Sequence, residues 1–343
     1  AAVTENDTWT HVVHAPGRVN LIGDHTDYTG GLVFPVAIDR GITIRYRPGT
    51  DRVVLASDAE SDPIEFGLPV EVEPGTATPA WGRYVVAMAA ELRATTGFHG
   101  AVSSDIPAGA GLSSSAALEC AVGLALGADG TAVDLALAAQ RAEHAATGVP
   151  TGIMDQLCIA AATAGHATMI DCHTLDVTQV RVPGEIDMVV EFIAHRTLVG
   201  SAYADRVAEC ARAESVIGPL REATLDDIGR ARHHLDDIAW RRARHVVTEN
   251  ERVRAFAAAL ARGDYARAGR LMGASHDSLR TDFETSTPDM DAAVERMSSR
   301  PGVFGARMTG GGFGGCVVAL CEPGALASGW VVHAARGAHH AEQ

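Results

Sequence analysis

The stretch DIPAGAGLSSSAALECAV, residues 105–122, passes from strand-like residues through Gly109, Ala110, Gly111 and Leu112 to Ser113, Ser114 and Ser115. It then enters an apolar helical pattern. Glycines let a backbone approach a ligand closely, and the first turn of a helix offers unpaired N–H groups at the positive end of its dipole. Serine hydroxyls add donors, and their oxygens suit a magnesium ion. This is the layout of a phosphate cradle. A plain strand-to-helix turn with serine caps would use the same residues without a ligand. The dinucleotide fingerprint GxGxxG fails here because Ser114 occupies the third glycine position. All 28 basic residues are arginine, so both the Walker-type GK[ST] loop and the strand lysine of protein kinases are missing. Any nucleotide held here is handled by backbone, serine, metal ion and arginine.

Composition frames this loop. The 343 residues suffice for two domains or one large one, and 47% apolar with 21% charged residues is a globular balance. A formal net charge of −15 argues against nucleic acid or an anionic membrane as partner. The six cysteines include no CxxC pair and read as buried free thiols, which points to the cytoplasm. No apolar run reaches the roughly 18 residues of a membrane span, and no secretory signal pattern opens the sequence.

Around the loop the hydrophobic period changes several times. GLVFPVAI, GITIRYR and DRVVLAS read as strands, while WGRYVVAMAAELRATTG reads as a helix closed by Gly97. SAALECAVGLALG and TAVDLALAAQRAEHAATG read as helices, and HATMIDC and MVVEFIA as strands. Residues from about 203 to 300 are mostly helical, with arginine-rich polar faces, and GARMTGGGFGGCVVALC returns to strand. The expected class is α+β in two lobes, 1–180 and 181–343.

Three further motifs carry chemistry. In PGRVNLIGDHTDY a buried strand runs into Asp24, His25 and Asp27, which fit a metal site, a polar turn or a set of hydroxyl acceptors. In VPTGIMDQLCIA, Asp155 sits in the first turn of a helix, either as a cap or as a rigidly held base. In MTGGGFGGCVVAL, five glycines surround Phe313, either for a tight turn or because something approaches the backbone.

Together PGRVNLIGDHTDY, GAGLSSSAALE, TGIMDQ and MTGGGFGGC resemble the motifs shared by galactokinases, within the GHMP small-molecule kinases. The similarity continues through LREATLDDIGRARHHLD, RRARHVVTENERV and LMGASHDSLRTDFETS, covering nearly the whole chain in order. It implies a mixed-sheet N-terminal lobe, an α/β C-terminal lobe and an active site in the cleft between them. It also implies a cytoplasmic monomer that uses ATP and Mg2+ to phosphorylate the anomeric hydroxyl of galactose.

By matching position, Asp24, His25, Thr26, Asp27, Gly152 and Tyr203 correspond to sugar contacts. Gly109, Ala110, Gly111, Leu112, Ser113, Ser114 and Ser115 correspond to the ATP loop. Trp81 matches the residue beside the adenine, and Ser57 a further nucleotide contact. Ser115 and Glu143 match magnesium ligands, and Arg18 and Asp155 the catalytic pair. Carboxylates on a turn behind a buried strand suit a sugar, whose hydroxyls point in fixed directions.

Departures leave alternatives open. Asp24 stands where the family usually has Glu, so it is expected to reach its hydroxyl through a water. Ala202 replaces a usual acid, and Val207 a common arginine. A kinase for another sugar, such as N-acetylgalactosamine or arabinose, fits the same motifs. So does a non-catalytic galactose-sensing regulator, although the intact SSSAA favours an enzyme.

Overall fold

The computed structural model describes residues 9–107, 109–195 and 202–342. Strands β1 (His11–Asn20), β2 (Leu32–Val33), β3 (Pro35–Thr50), β4 (Arg52–Ser57) and β5 (Ile64–Gly67) come first. Helix α1 (Gly82–Glu91) and β6 (Gly97–Ser104) lead to three helices, α2 (Ser114–Ala125), α3 (Ala132–Thr147) and α4 (Met154–Ala161). Strands β7 (His166–Asp171), β8 (Val177–Arg181) and β9 (Asp187–Ala194) precede α5 (Tyr203–Ile217), α6 (Leu225–Ala231), α7 (Asp237–Ala261), α8 (Tyr265–Ser278) and α9 (Pro288–Ser298). The chain closes with β10 (Val303–Thr309), β11 (Gly315–Cys321), β12 (Trp330–Val332) and β13 (His339–Ala341).

These strands form a six-stranded sheet in the order β13-β1-β3-β6-β4-β5, a four-stranded sheet β10-β11-β9-β12 and a three-stranded sheet β2-β7-β8. The six-stranded sheet is mixed: β4 runs parallel to β6, and its other pairs are antiparallel. β1 is buried at every residue from Ala15 to Asn20, because it is covered on both faces. Helix α2 packs on β1 and β3 and also touches α1, α3 and α4, which explains why alanines and leucines occupy nearly all its faces. Thr131 and Asp134 form a reciprocal capping box at the start of α3, and Gly148 closes its end in the left-handed conformation.

The α+β expectation holds, with two corrections of detail. Gly97 does not cap a helix. Helix α1 stops at Glu91, Arg93 makes the left-handed turn at φ 49°, and Gly97 opens β6. The final glycine-rich run is two antiparallel strands, β10 and β11, with the glycines forming the turn between them. The boundary expected at residue 180 falls inside β8. Beyond it, β13 returns to pair with β1, so both ends of the chain build one sheet.

The core also crosses that boundary. Its largest cluster contains Val13, Phe34 and Phe98 together with Phe256, Met272 and Val318. Phe256 of α7 meets Phe34 edge-on at a centroid distance of 5.4 Å, and both are fully buried. Phe256→Ala is therefore expected to destabilise the whole protein by about 3–5 kcal/mol, without a separate early transition, in urea unfolding followed by circular dichroism.

Candidate active site

The site begins at β1. A register shift between Pro16 and Arg18 lets the strand bend, and a Cβ on Gly17 would lie 2.7 Å from Leu112 O. Only glycine admits the phosphate loop this close, and Arg18 N donates to the same Leu112 carbonyl at 3.1 Å. Arg18 is 2% exposed and grips Asp155 with two hydrogen bonds, Nε to Oδ1 and Nη2 to Oδ2, each 2.7 Å. Its Nη1 donates to Gly111 O at 2.9 Å. Burial alone would lower the Arg18 pKa, but Asp155 outweighs it and the net direction is upward. Ser113 Oγ donates to Asp155 Oδ2 at 2.5 Å, from a left-handed backbone at φ 62° just before α2. One carboxylate thus joins β1, the phosphate loop and the first turn of α4.

The turn after β1 carries the next carboxylates. Asp24 Oδ1 accepts from Gly310 N at 2.9 Å, and Asp24 Oδ2 lies 2.5 Å from Nη2 of Arg307 on β10. Burial works against the Asp24 charge and raises its pKa, while Arg307 acts in the opposite direction. His25 holds a left-handed backbone at φ 63°, with its ring against Phe283 at 4.7 Å and Nδ1 3.0 Å from Tyr28 Oη. Asp27 lies against α4: a Cβ on Gly152 would fall 2.0 Å from Asp27 Oδ2. Burial, and secondarily the Asp155 charge, push the Asp27 pKa up to about 7.

Arg18, Asp24, His25, Asp27, Gly152, Asp155 and Tyr203 line one pocket of about 380 Å3, open mouth included, with Thr151, Met154, Gly310 and Gly311. Thr26 is not among these lining residues. Its hydroxyl lies 2.7 Å from Leu32 O and 3.0 Å from Gly23 O, so its donor serves the turn and not the pocket. Asp24, expected to reach the sugar through a water, contacts Arg307 and Gly310 within the protein. Ser57 and Trp81 are not among the pocket's lining residues. Ser57 ends β4 and accepts from Ala59 N, and the Trp81 indole donates to Asp62 O at 3.1 Å.

Glu143 stands behind the phosphate loop on α3. Its Oε1 accepts from Ser115 Oγ at 2.9 Å, and its Oε2 accepts from Thr151 Oγ1 at 2.8 Å and Gln156 Nε2 at 2.9 Å. A hydroxyl in the first turn of α2 and a carboxylate near the end of α3 are hard oxygen donors of the kind that would suit a magnesium ion.

Sequence reasoning missed Arg307, Thr151, Met154, Gln156 and the pocket role of Gly310 and Gly311. Thr151 and Gln156 flank Gly152 and Asp155 within a quoted motif, and Gly310 and Gly311 belong to the glycine run whose purpose stayed open. Arg307 gave no signal beyond its place beside that run.

A family model for the galactokinase galactose-binding signature matches residues 3–48, and GHMP kinase N-terminal and C-terminal models match 83–165 and 256–329. Galactokinase of Roseiflexus sp. (strain RS-1) is 44% identical over 91% of this chain and 83% of its own, and human galactokinase 42% over 91% and 84%. The chain belongs to the galactokinases. The fold agrees: a crystal structure of Lactococcus lactis galactokinase complexed with galactose covers 96% of this chain and 94% of its own, at TM-score 0.89 and 32% identity. A mevalonate kinase, 20% identical at TM-score 0.64 and covering 92% and 93%, shares the fold.

Asp27 has a pH consequence. Its folded pKa of about 7 lies above the ordinary 3.8, so between those values the folded state holds a proton that the unfolded chain has released. Stability from this group is therefore full below about pH 4 and is lost as pH rises to about 7. Asp27→Asn should flatten that decline by on the order of 2 kcal/mol, read from denaturant unfolding at pH 5 and pH 8.

Proposed function

We propose that the chain transfers the γ-phosphoryl group of ATP to the anomeric hydroxyl of galactose, giving galactose 1-phosphate and ADP. The observation that carries this reading is the bidentate Arg18–Asp155 pair, set between the carboxylate-lined pocket and the phosphate loop. The pocket presents carboxylates, a histidine and a tyrosine, the chemistry that orients a polyol. The facing loop presents backbone amides and serines at the start of α2, the chemistry that holds phosphates.

Asp155 reaches both sides. It accepts the proton of the sugar hydroxyl as negative charge develops on the anomeric oxygen. Arg18 keeps Asp155 aimed through its two hydrogen bonds, and its fixed guanidinium charge stabilises the transferring group. Ser113 shares Asp155 Oδ2 and fixes the carboxylate plane relative to the loop. Ser115 and Glu143 would hold magnesium, which supplies neutralisation of phosphate charge when bound. Thr151 and Gln156 orient the Glu143 carboxylate for that task. Six free thiols suit a reducing compartment such as the cytoplasm.

Release of ADP from Mg-ATP across a panel of hexoses tests the reading directly. Galactose should be the preferred acceptor, and absence of turnover with every hexose overturns the assignment. Asp155→Asn should retain the fold, seen as an unchanged circular dichroism spectrum, while kcat falls roughly 100-fold or more. Normal turnover would reduce Asp155 to a helix cap. Glu143→Ala should shift the magnesium dependence of nucleotide binding, measured by calorimetry, to at least tenfold higher concentrations and leave galactose affinity unchanged.

A further inference from the structure

The segment RRARHVVTENERV, residues 241–253 of α7, lends no lining residue to the sugar pocket, yet it buries His245, Glu249 and Asn250. Residues four apart on a helix share a face, and this face meets the turn from Gly23 to Leu32 that carries Asp24, His25 and Asp27. Glu249 Oε1 accepts from Gly23 N at 2.9 Å, His245 Nε2 donates to Asp24 O at 3.1 Å, and Asn250 Oδ1 accepts from Leu32 N at 2.7 Å. The fit is close. A Cβ on Gly23, whose φ is 94°, would lie 2.8 Å from Val253 Cγ2, and a Cβ on Gly31 would lie 2.6 Å from Asn250 Oδ1.

Two of these side chains are themselves fixed from α8. Burial lowers the His245 pKa to about 4, so near neutrality its ring carries a single N–H. The Asp24 carbonyl can only accept, which puts that proton on Nε2 and leaves Nδ1 to accept from Ser278 Oγ at 2.9 Å. Glu249 accepts from Ser275 Oγ at 2.5 Å and from Arg252 Nε, within α7, at 2.6 Å. Phe283, in the turn after α8, lies against both the His245 ring at 4.5 Å and the ring of the pocket residue His25 at 4.7 Å.

We infer that this face of α7 is the template of the sugar turn, with His245, Glu249 and Asn250 as positioning residues that set the backbone from which Asp24, His25 and Asp27 enter the pocket. The inference rests on the galactose kinase reading above. Side chains on a turn hold hydroxyls in fixed directions only if the turn is itself held. Contacts within the turn, such as Gly31 N donating to Thr26 O at 2.8 Å, preserve its shape but not its place beside the pocket. The α7 contacts supply the place, through backbone groups that would otherwise stand buried and unpaired. A turn released from α7 must be ordered each time a sugar binds, which weakens the sugar and spares the nucleotide.

The test compares galactose and Mg-ATP kinetics of the wild type, His245→Phe and Asn250→Ala. Phenylalanine keeps a ring against Phe283 but has no donor for Asp24 O, and alanine has no acceptor for Leu32 N. Each variant should raise the galactose KM about tenfold or more, with kcat falling less than that and the Mg-ATP KM staying within about threefold. An unchanged galactose KM in both variants, or an equal rise in both KM values, overturns the inference. If neither variant folds, amide hydrogen exchange of the wild type decides, read residue by residue. Gly23 and Leu32 amides already slow without sugar uphold the template, and amides that exchange freely until galactose is added overturn it. A wild type that does not phosphorylate galactose strikes the kinase reading instead and leaves the sugar-free exchange rates readable, so the two failures are separable.

Discussion

The paired hydrogen bonds between Arg18 and Asp155 are the constraint around which the molecule is arranged. A guanidinium only 2% exposed cannot exist inside a fold without a partner, and removing one member of such a pair costs about 3–5 kcal/mol. Arg18 comes from β1 and Asp155 from α4, separated by 137 residues, and the same guanidinium also binds Gly111 O of the phosphate loop. Satisfying one buried cation therefore fixes three segments at once. The bend of β1 at Gly17 and the close passage of Leu112 follow from that requirement, because without them the loop could not come within reach.

The segment 151–156 distributes the consequences. Thr151 and Gln156 steady Glu143, Gly152 leaves room for Asp27, and Asp155 meets Arg18 and Ser113. Four of these six residues thus reach Glu143, Asp27 and the Arg18 pair. A helix start is suited to this because successive side chains fan out in different directions while the backbone stays rigid. An error of orientation in α4 would disturb all three functions together.

Much of this was legible in the sequence, and the reason lies in which features are local. The strand–glycine–serine–helix pattern of the phosphate loop, the caps at Thr131 and Gly148, and the polar turn after β1 are set by neighbours a few residues apart. Periodicity and turn chemistry report such features well. Arg307 was invisible because its meaning comes from Asp24, 283 positions away, and only β10 lying beside the end of β1 brings them together. Thr26 was expected at the sugar from its place in the motif, and its hydroxyl serves the turn's own carbonyls. Gly97 was misread for a related reason: a glycine after a helix usually caps it, but here Arg93 had already made the turn. The return of β13 to β1 left no local trace at all.

A chain whose every strong cation is arginine acquires an asymmetric response to proton concentration. Guanidinium retains its proton throughout the range in which proteins survive, and Asp155 raises the Arg18 pKa further. The Tyr28 phenol beside the pocket is pushed well above its ordinary value by burial. The arginines of the site are thus electrically constant, and Asp27 is an acid whose raised pKa brings its change of charge near neutrality. The arginines make a fixed positive frame, and Asp27 is a part of the lining that ambient pH switches.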